Sequence, residues 1–265
     1  MATPVLAHLE SLLRARRLDG TLGASQPPHP DAPEPASSGL AWLDERLGGG
    51  WPRGQVSELV GPRSSGRSWL AAQTMARATR QGELAALVDA ADSFDPGSLA
   101  HVEVGWPYWL WVRGRMPAGG LATGAARALQ DQELDRAIKA AALVLQAGCF
   151  GVVVLDFSEV PAPLLRRLSF TIWLRLARLV EGRETACLVL APEPTTRSAR
   201  GFSVRLDAGG TAGEWAGDHP CARRLAGLVT RVHVTGARWR DGDQGVEIRS
   251  SADTASATGE DVRSA

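Results

Sequence analysis

Gly61, Pro62, Arg63, Ser64, Ser65, Gly66, Arg67 and Ser68 have the residue types and the spacing of a loop that holds phosphate. Glycines at the two ends let backbone N–H groups turn inward around an anion, and the helix that follows aims its positive end at the same point. The template asks for lysine before the final hydroxyl residue, and Arg67 stands there instead. Lysine is a compact charge that reaches the outer phosphates, whereas a guanidinium is wide and planar, so the exchange is not conservative in a tight cradle. Phosphate binding can survive that change more readily than fast turnover can. A second candidate group lies downstream, where Val152, Val153, Val154, Leu155 and Asp156 form an apolar strand ending in a carboxylate. Opposite the loop hydroxyl of Ser68, Asp156 is the type of residue that holds Mg²⁺ beside a bound triphosphate. The plain alternatives are a ligand-free glycine and serine turn and an ordinary aspartate at a strand end.

The elements that must position these groups alternate in the manner of βαβ units around a largely parallel sheet, so the expected class is α/β. Strands are predicted near Gln55–Val60, Leu84–Asp89, Tyr108–Val112, Gly151–Asp156 and Ala186–Leu190. One helix is predicted over about 125–147, burying Ala126, Leu129, Leu134, Ile138, Ala141 and Leu145. Another is predicted from Pro163 to Glu181, with Leu165, Leu168, Ile172, Leu176 and Leu179 inward and arginines outward. Beyond Pro192 the pattern weakens. Phe202–Leu206 and Val229–Trp239 read as strands, with antiparallel additions expected at the sheet edge. Ahead of the core, residues 1–19 form an amphipathic helical pattern carrying Leu6, Leu9 and Leu13 on one stripe, and residues 20–38 are a proline-rich linker. The main domain is therefore placed at 39–249. The small polar residues of 250–265 read as a disordered tail.

Composition bounds the partners. Lys plus Arg and Asp plus Glu each number 29, so no global positive field draws the chain to nucleic acid, and any such binding must be local. Cys149, Cys187 and Cys221 lie far apart, without metal-ligand spacing. No stretch has the length and apolarity of a membrane span, and the N-terminus lacks the pattern of a signal peptide, so the expected location is cytoplasmic.

With these residues in hand, the chain resembles RecA over about residues 38–191. The likeness rests on Ser38 to Leu43 with Asp44, on Leu47 to Gly50 with Pro52 and Gly54, on the loop itself, on Val88, Asp89 and Ala90 followed by Asp95 and Pro96, and on the strand ending at Asp156. The resemblance implies a RecA-like core with ATP and Mg²⁺ as the ligands, and its departures count against both. Where RecA-type enzymes carry the glutamate that activates water, this chain has Ala91, and a methyl group cannot take a proton. Ser98 stands where the family stacks an aromatic ring on adenine, and Ala191 and Pro192 stand where it senses the γ phosphate. The segment from Asp156 to Pro163 is too short for the family's first DNA loop, and Glu193–Gly201 is compact for its second.

This pattern is similar to the ImuA group of RecA-like proteins. That likeness implies an accessory role in SOS mutagenesis and translesion synthesis, with RecA, an ImuB-type Y-family polymerase homologue and an error-prone polymerase complex as partners, and with nucleoid association during repair. The stripe of Leu6, Leu9 and Leu13 is the candidate docking element for RecA, though it could equally pack on its own domain. The alternative is a slow DNA-dependent ATPase or recombinase-like enzyme with altered catalytic residues. Direct DNA binding would fall to Arg166, Arg167, Arg175, Arg178, Arg197, Arg200 and Arg205, with Trp106, Trp109, Trp111, Trp215 and Trp239 to stack on bases. The plainer reading makes these a solvated face and core tryptophans.

Overall fold

A computed structural model describes residues 33–100, 102–117, 119–196, 201–207, 212–217, 219, 221, 223–236, 246–251 and 257–261. The stripe of Leu6, Leu9 and Leu13, the linker up to residue 32, Arg197, Arg200, Trp239 and most of the expected tail lie outside them.

The described chain runs α1 (Ala41–Leu47), β1 (Gln55–Val60), α2 (Arg67–Arg80), β2 (Leu84–Asp89), β3 (Trp109–Arg113), α3 (Gly124–Ala147), β4 (Phe150–Asp156), α4 (Ala162–Leu165), α5 (Phe170–Val180) and β5 (Ala186–Ala191). Five further strands follow: β6 (Phe202–Leu206), β7 (Ala212–Ala216), β8 (Arg224–Gly236), β9 (Val246–Ser251) and β10 (Ala257–Asp261). They form one ten-stranded sheet in the order β10-β9-β8-β6-β1-β5-β4-β2-β3, with β7 paired to β8. The segment from β6 to β3 is parallel throughout, and the pairs beyond it are antiparallel. The expectation of antiparallel additions therefore holds for β8 but not for β6, which lies parallel to β1 and joins the central sheet; β7 and β9 were not expected, and β10 falls within residues 250–265, which were expected to be a disordered tail.

Strands β2, β4 and β5 are near-continuous apolar runs because both faces are covered. Alternation sorts their side chains with a period of two. Ala85, Leu87, Val152, Val154, Leu188 and Leu190 face α1 and α2. Ala86, Val88, Val153, Leu155, Cys187 and Val189 face α3, α4 and α5. On the first side Trp51 is fully buried, and its indole N–H donates to Thr74 Oγ1 at 3.2 Å, tying the entry to β1 onto α2. The neighbouring Gly50 has φ +136, and a Cβ there would meet the Ala36 carbonyl oxygen at 2.4 Å, so the Ala36–Trp51 bridge requires glycine.

Two helices depart from expectation. The span expected as one helix from Pro163 to Glu181 is two, α4 and α5, with Ser169 as the N-cap residue of the second. Its inward set gains Trp173, which the leucine pattern missed, beside Leu176 and Val180. In α3, Ala126 and Leu129 are exposed and not buried, because its first turns extend past the edge of the sheet. Burial begins at Gln130 and continues through Leu134, Ala137, Ala141, Val144 and Leu145.

Candidate functional site

The register brings every candidate group to one end of the sheet. Val60 pairs with Ala191, Leu190 with Asp156, and Asp156 with Asp89, so the C-terminal ends of β1, β5, β4 and β2 share one rim. In open α/β sheets this rim is where ligands bind. The loop leaves β1 at Gly61, whose N–H donates to the Ala191 carbonyl at 3.3 Å, and enters α2 at Arg67. Ser64 and Gly66 both adopt positive φ, +61° and +93°, so the chain curls as a cradle must. Gly61 has no room for a side chain, since a Cβ would lie 2.6 Å from Ser65 Oγ and 2.8 Å from the Leu206 carbonyl oxygen. Ser68 is exposed at the start of α2, where the first-turn N–H groups have no partner within the helix.

Arg67 does not reach across the cradle. Its side chain is buried, and its guanidinium runs toward the turn after β4. There Nε donates to Ser158 Oγ at 2.9 Å, Nη2 to the Ser158 carbonyl at 2.9 Å, and Nη1 to the Ala191 carbonyl at 3.5 Å. Burial lowers its pKa from the ordinary guanidinium value, with Asp156 and Glu159 pulling in the other direction. A second loop arginine converges on the same turn, as the guanidinium of Arg63 pairs with Glu159 at 2.9 Å.

Asp156 is buried beside this contact and accepts the Ser158 N–H at 2.8 Å. Burial pushes its pKa up. The hydrogen bonds from Ser158 and the charge of Arg67 oppose the rise, while nearby Asp89 adds to it. Asp156 is thus engaged by its own turn, and it lines the same cavity as Ser68. The loop has the outline of an anion cradle, and Ser68 and Asp156 are the residues that would hold Mg²⁺ beside a bound triphosphate. Among the described residues, no group of three or more His, Cys, Asp or Glu side chains could hold a metal ion.

Ser68 and Asp156 line one cavity of about 340 Å³ that extends between α2 and the sheet, with Ala71, Ala72 and Met75 on one wall and Phe94, Ser98 and Trp109 on another. Ser98 is exposed in a short 3₁₀ turn, where its hydroxyl donates to the Asp95 carbonyl at 2.6 Å. Ala91 sits beside Asp89 and offers only a methyl group, its N–H donating to the Asp89 carboxylate at 3.3 Å.

Sequence reasoning missed two features of this rim. Asp89 also accepts the Phe94 N–H at 2.8 Å and the Trp111 indole N–H at 3.3 Å, which folds the turn after β2 over the strand end. Phe94 then stacks on Trp109 at 5.5 Å and meets Trp111 edge-on at 5.4 Å, so these two tryptophans are packed and not free to stack on bases. Trp106 and Trp215 are exposed. Neither feature has a signal in the sequence beyond the residue types themselves.

A family model described as the RecA N-terminal domain matches residues 22–106. Among curated proteins, the chain is 52% identical over 61 residues to the protein RecA of Chlorobaculum parvum, covering 23% of this chain and 18% of that one. It is 33% identical over 120 residues to the protein RecA of Treponema denticola, covering 45% of this chain and 25% of that one. With the protein RecA of Nostoc punctiforme the figures are 48% over 63 residues, 24% and 18%. The chain thus spans a quarter or less of the length of these relatives. Among the described residues no helix is long and apolar enough to cross a membrane. The matched segment contains the cradle and the strands on either side of it, so over that segment the chain is similar to the RecA N-terminal domain.

Proposed function

We propose that this chain is a non-catalytic or weakly catalytic RecA-like accessory protein of SOS-induced mutagenesis and translesion synthesis, acting by binding RecA and an ImuB-type polymerase homologue. The observation that carries the reading is the placement of Arg67. The side chain at the position that should serve the phosphates is instead hydrogen-bonded to Ser158 through Nε and Nη2. Ala91 adds to this, because loss of a general base typically costs about 10² to 10⁴ in rate. Asp156 adds to it again, being buried and shifted toward its neutral form. A fold kept while its reactive groups are replaced is a fold retained for the surfaces it presents.

Phosphate release by the purified chain, with and without single-stranded DNA, tests the proposal. The expected result is background turnover in both. Robust DNA-stimulated release, abolished by Gly66→Ala or Ser68→Ala, would establish the competing reading of a slow DNA-dependent ATPase. The partner half of the proposal is tested by capture of RecA on the full chain. Retention equal to wild type after Leu9→Asp and Leu13→Asp would remove the stripe as the docking element.

A further inference from the structure

α5 presents an outward face unlike the rest of this charge-balanced chain. From residue 161 to 180 the sequence contains Arg166, Arg167, Arg175 and Arg178 and not one Asp or Glu. Trp173, Leu176 and Val180 turn inward, which leaves Phe170, Leu174 and Arg178 at i, i+4 and i+8 along the outer side. Phe170 is 53% exposed and Leu174 39% exposed, although both are large and apolar. Arg166 is paired with Glu193 at 2.7 Å. Arg167, Arg175 and Arg178 are exposed, and among the described residues no carboxylate pairs with them.

We propose that this face docks an acidic amphipathic helical segment of a protein partner, with Phe170 and Leu174 as the apolar anchors and Arg175 and Arg178 as the charged rim. An apolar centre bracketed by cations has the anatomy of a protein interface, where anchors are desolvated and rim charges set orientation and approach rate. A helix laid on another helix presents its own anchors at i and i+4, the same repeat as Phe170 and Leu174. Nucleic acid would engage the arginines but would gain little from the aliphatic Leu174, which cannot stack as an aromatic ring does. The chain's own residues 4–17 are excluded by sign, since they carry Arg14, Arg16 and Arg17 against the single acid Glu10. The surface lies on the sheet face opposite α2, so its occupancy does not depend on what the phosphate loop holds.

The test uses the full chain and a fluorescein-labelled peptide of about 20 residues with leucine at helical i, i+4 and i+7 spacing and glutamate elsewhere. Binding is read by anisotropy at two salt concentrations. The proposal expects saturable binding that weakens with salt. It also expects roughly tenfold loss, about 1.4 kcal/mol, for Phe170→Asp with Leu174→Asp and, separately, for Arg175→Glu with Arg178→Glu. All four positions are exposed, and unchanged thermal unfolding of each variant shows that the fold is intact. Absence of peptide binding overturns the proposal, as does binding that Phe170→Asp with Leu174→Asp leaves untouched. A labelled single-stranded oligonucleotide run in parallel gives the other overturning result: binding that arginine reversal abolishes while the apolar substitutions do not would make this face a nucleic-acid site.

Discussion

Replacing Arg67 by methionine keeps much of the apolar stem of the side chain and removes its hydrogen bonds, so the variant tests the contact on which the proposed function rests. Two of those bonds are 2.9 Å long and come from a charged donor, a class worth about 1.5–3 kcal/mol each when lost. Their sum is offset in part, because a guanidinium no longer has to be taken out of water. The Ala191 carbonyl loses little, since the Arg67 contact is at 3.5 Å and the Gly61 N–H remains. The expected net loss is about 2–4 kcal/mol, which for a domain of this size lowers Tm by roughly 5–15 °C. Urea and thermal unfolding at neutral pH measure it. A change below about 0.5 kcal/mol, the level of an ordinary surface substitution, would show that Arg67 is not held on Ser158 and would refute the reasoning. Arg67→Lys completes the comparison. The shorter ammonium cannot make both contacts and is free to serve the cradle, so affinity for a fluorescent ATP analogue is expected to rise while phosphate release stays at background, because Ala91 still offers no base.

Three further outcomes follow from the same geometry. Gly61→Ala places a methyl group on Ser65 Oγ and the Leu206 carbonyl, and is expected to destabilise the fold by about 1–3 kcal/mol and to abolish any anion binding; isothermal titration with pyrophosphate alongside melting curves checks both. Burial lets Asp156 keep its proton to higher pH in the fold than in the unfolded chain, so its contribution is full below the ordinary carboxyl value and declines as pH rises toward the raised one. Asp156→Asn should therefore gain stability relative to wild type as pH is raised above the ordinary carboxyl value, and parallel pH profiles of the two proteins would count against it. Glu58 is buried and accepts the N–H groups of Thr195 and Thr196 at 3.2 and 3.1 Å and the hydroxyls of Thr196 and Ser203 at 2.9 and 2.8 Å. Glu58→Gln turns an amide donor toward donors, which should cost about 1–3 kcal/mol and speed proteolytic cleavage between β5 and β6, as mass spectrometry would read.

Which of these features could be read from residues alone follows from the range of the forces involved. β2 was legible to the residue because it is a short apolar run, and β1 because it is a short segment with Val56, Leu59 and Val60 between Gly54 and Gly61. The cradle was legible because its shape is a local property of Gly61, Ser64 and Gly66. The exposure of Leu129 was not. Periodicity reports a helical face but not where the sheet beneath it stops, and the 24 residues of α3 rise about 36 Å while strands of five to seven residues span little more than half of that. The break between α4 and α5 carries no glycine, and only Ser169, a preferred N-cap type, marks it. The partner of Arg67 lies 91 residues away at Ser158, a position with no motif of its own, so the direction of that side chain had to come from tertiary structure.

That direction changes what the loop is for. A loop with lysine at its centre presents a cation and several inward N–H groups that only a bound anion satisfies well, so its geometry and its ligand are coupled. Here both loop arginines are satisfied by protein: Arg67 by Ser158, and Arg63 by Glu159. The exposed Arg63 pair is worth little, but the buried Arg67 contact ties the start of α2 to the turn that closes β4, across the strand end of β5. The rim of the sheet is thereby cross-linked from within. A nucleotide would have to supply more than these contacts give before it could draw Arg67 back. On the proposed reading, then, substitution at the lysine position is not simply decay of an active site. It exchanges a ligand-dependent core for one that stands alone, which is what a protein working through its outer surfaces requires.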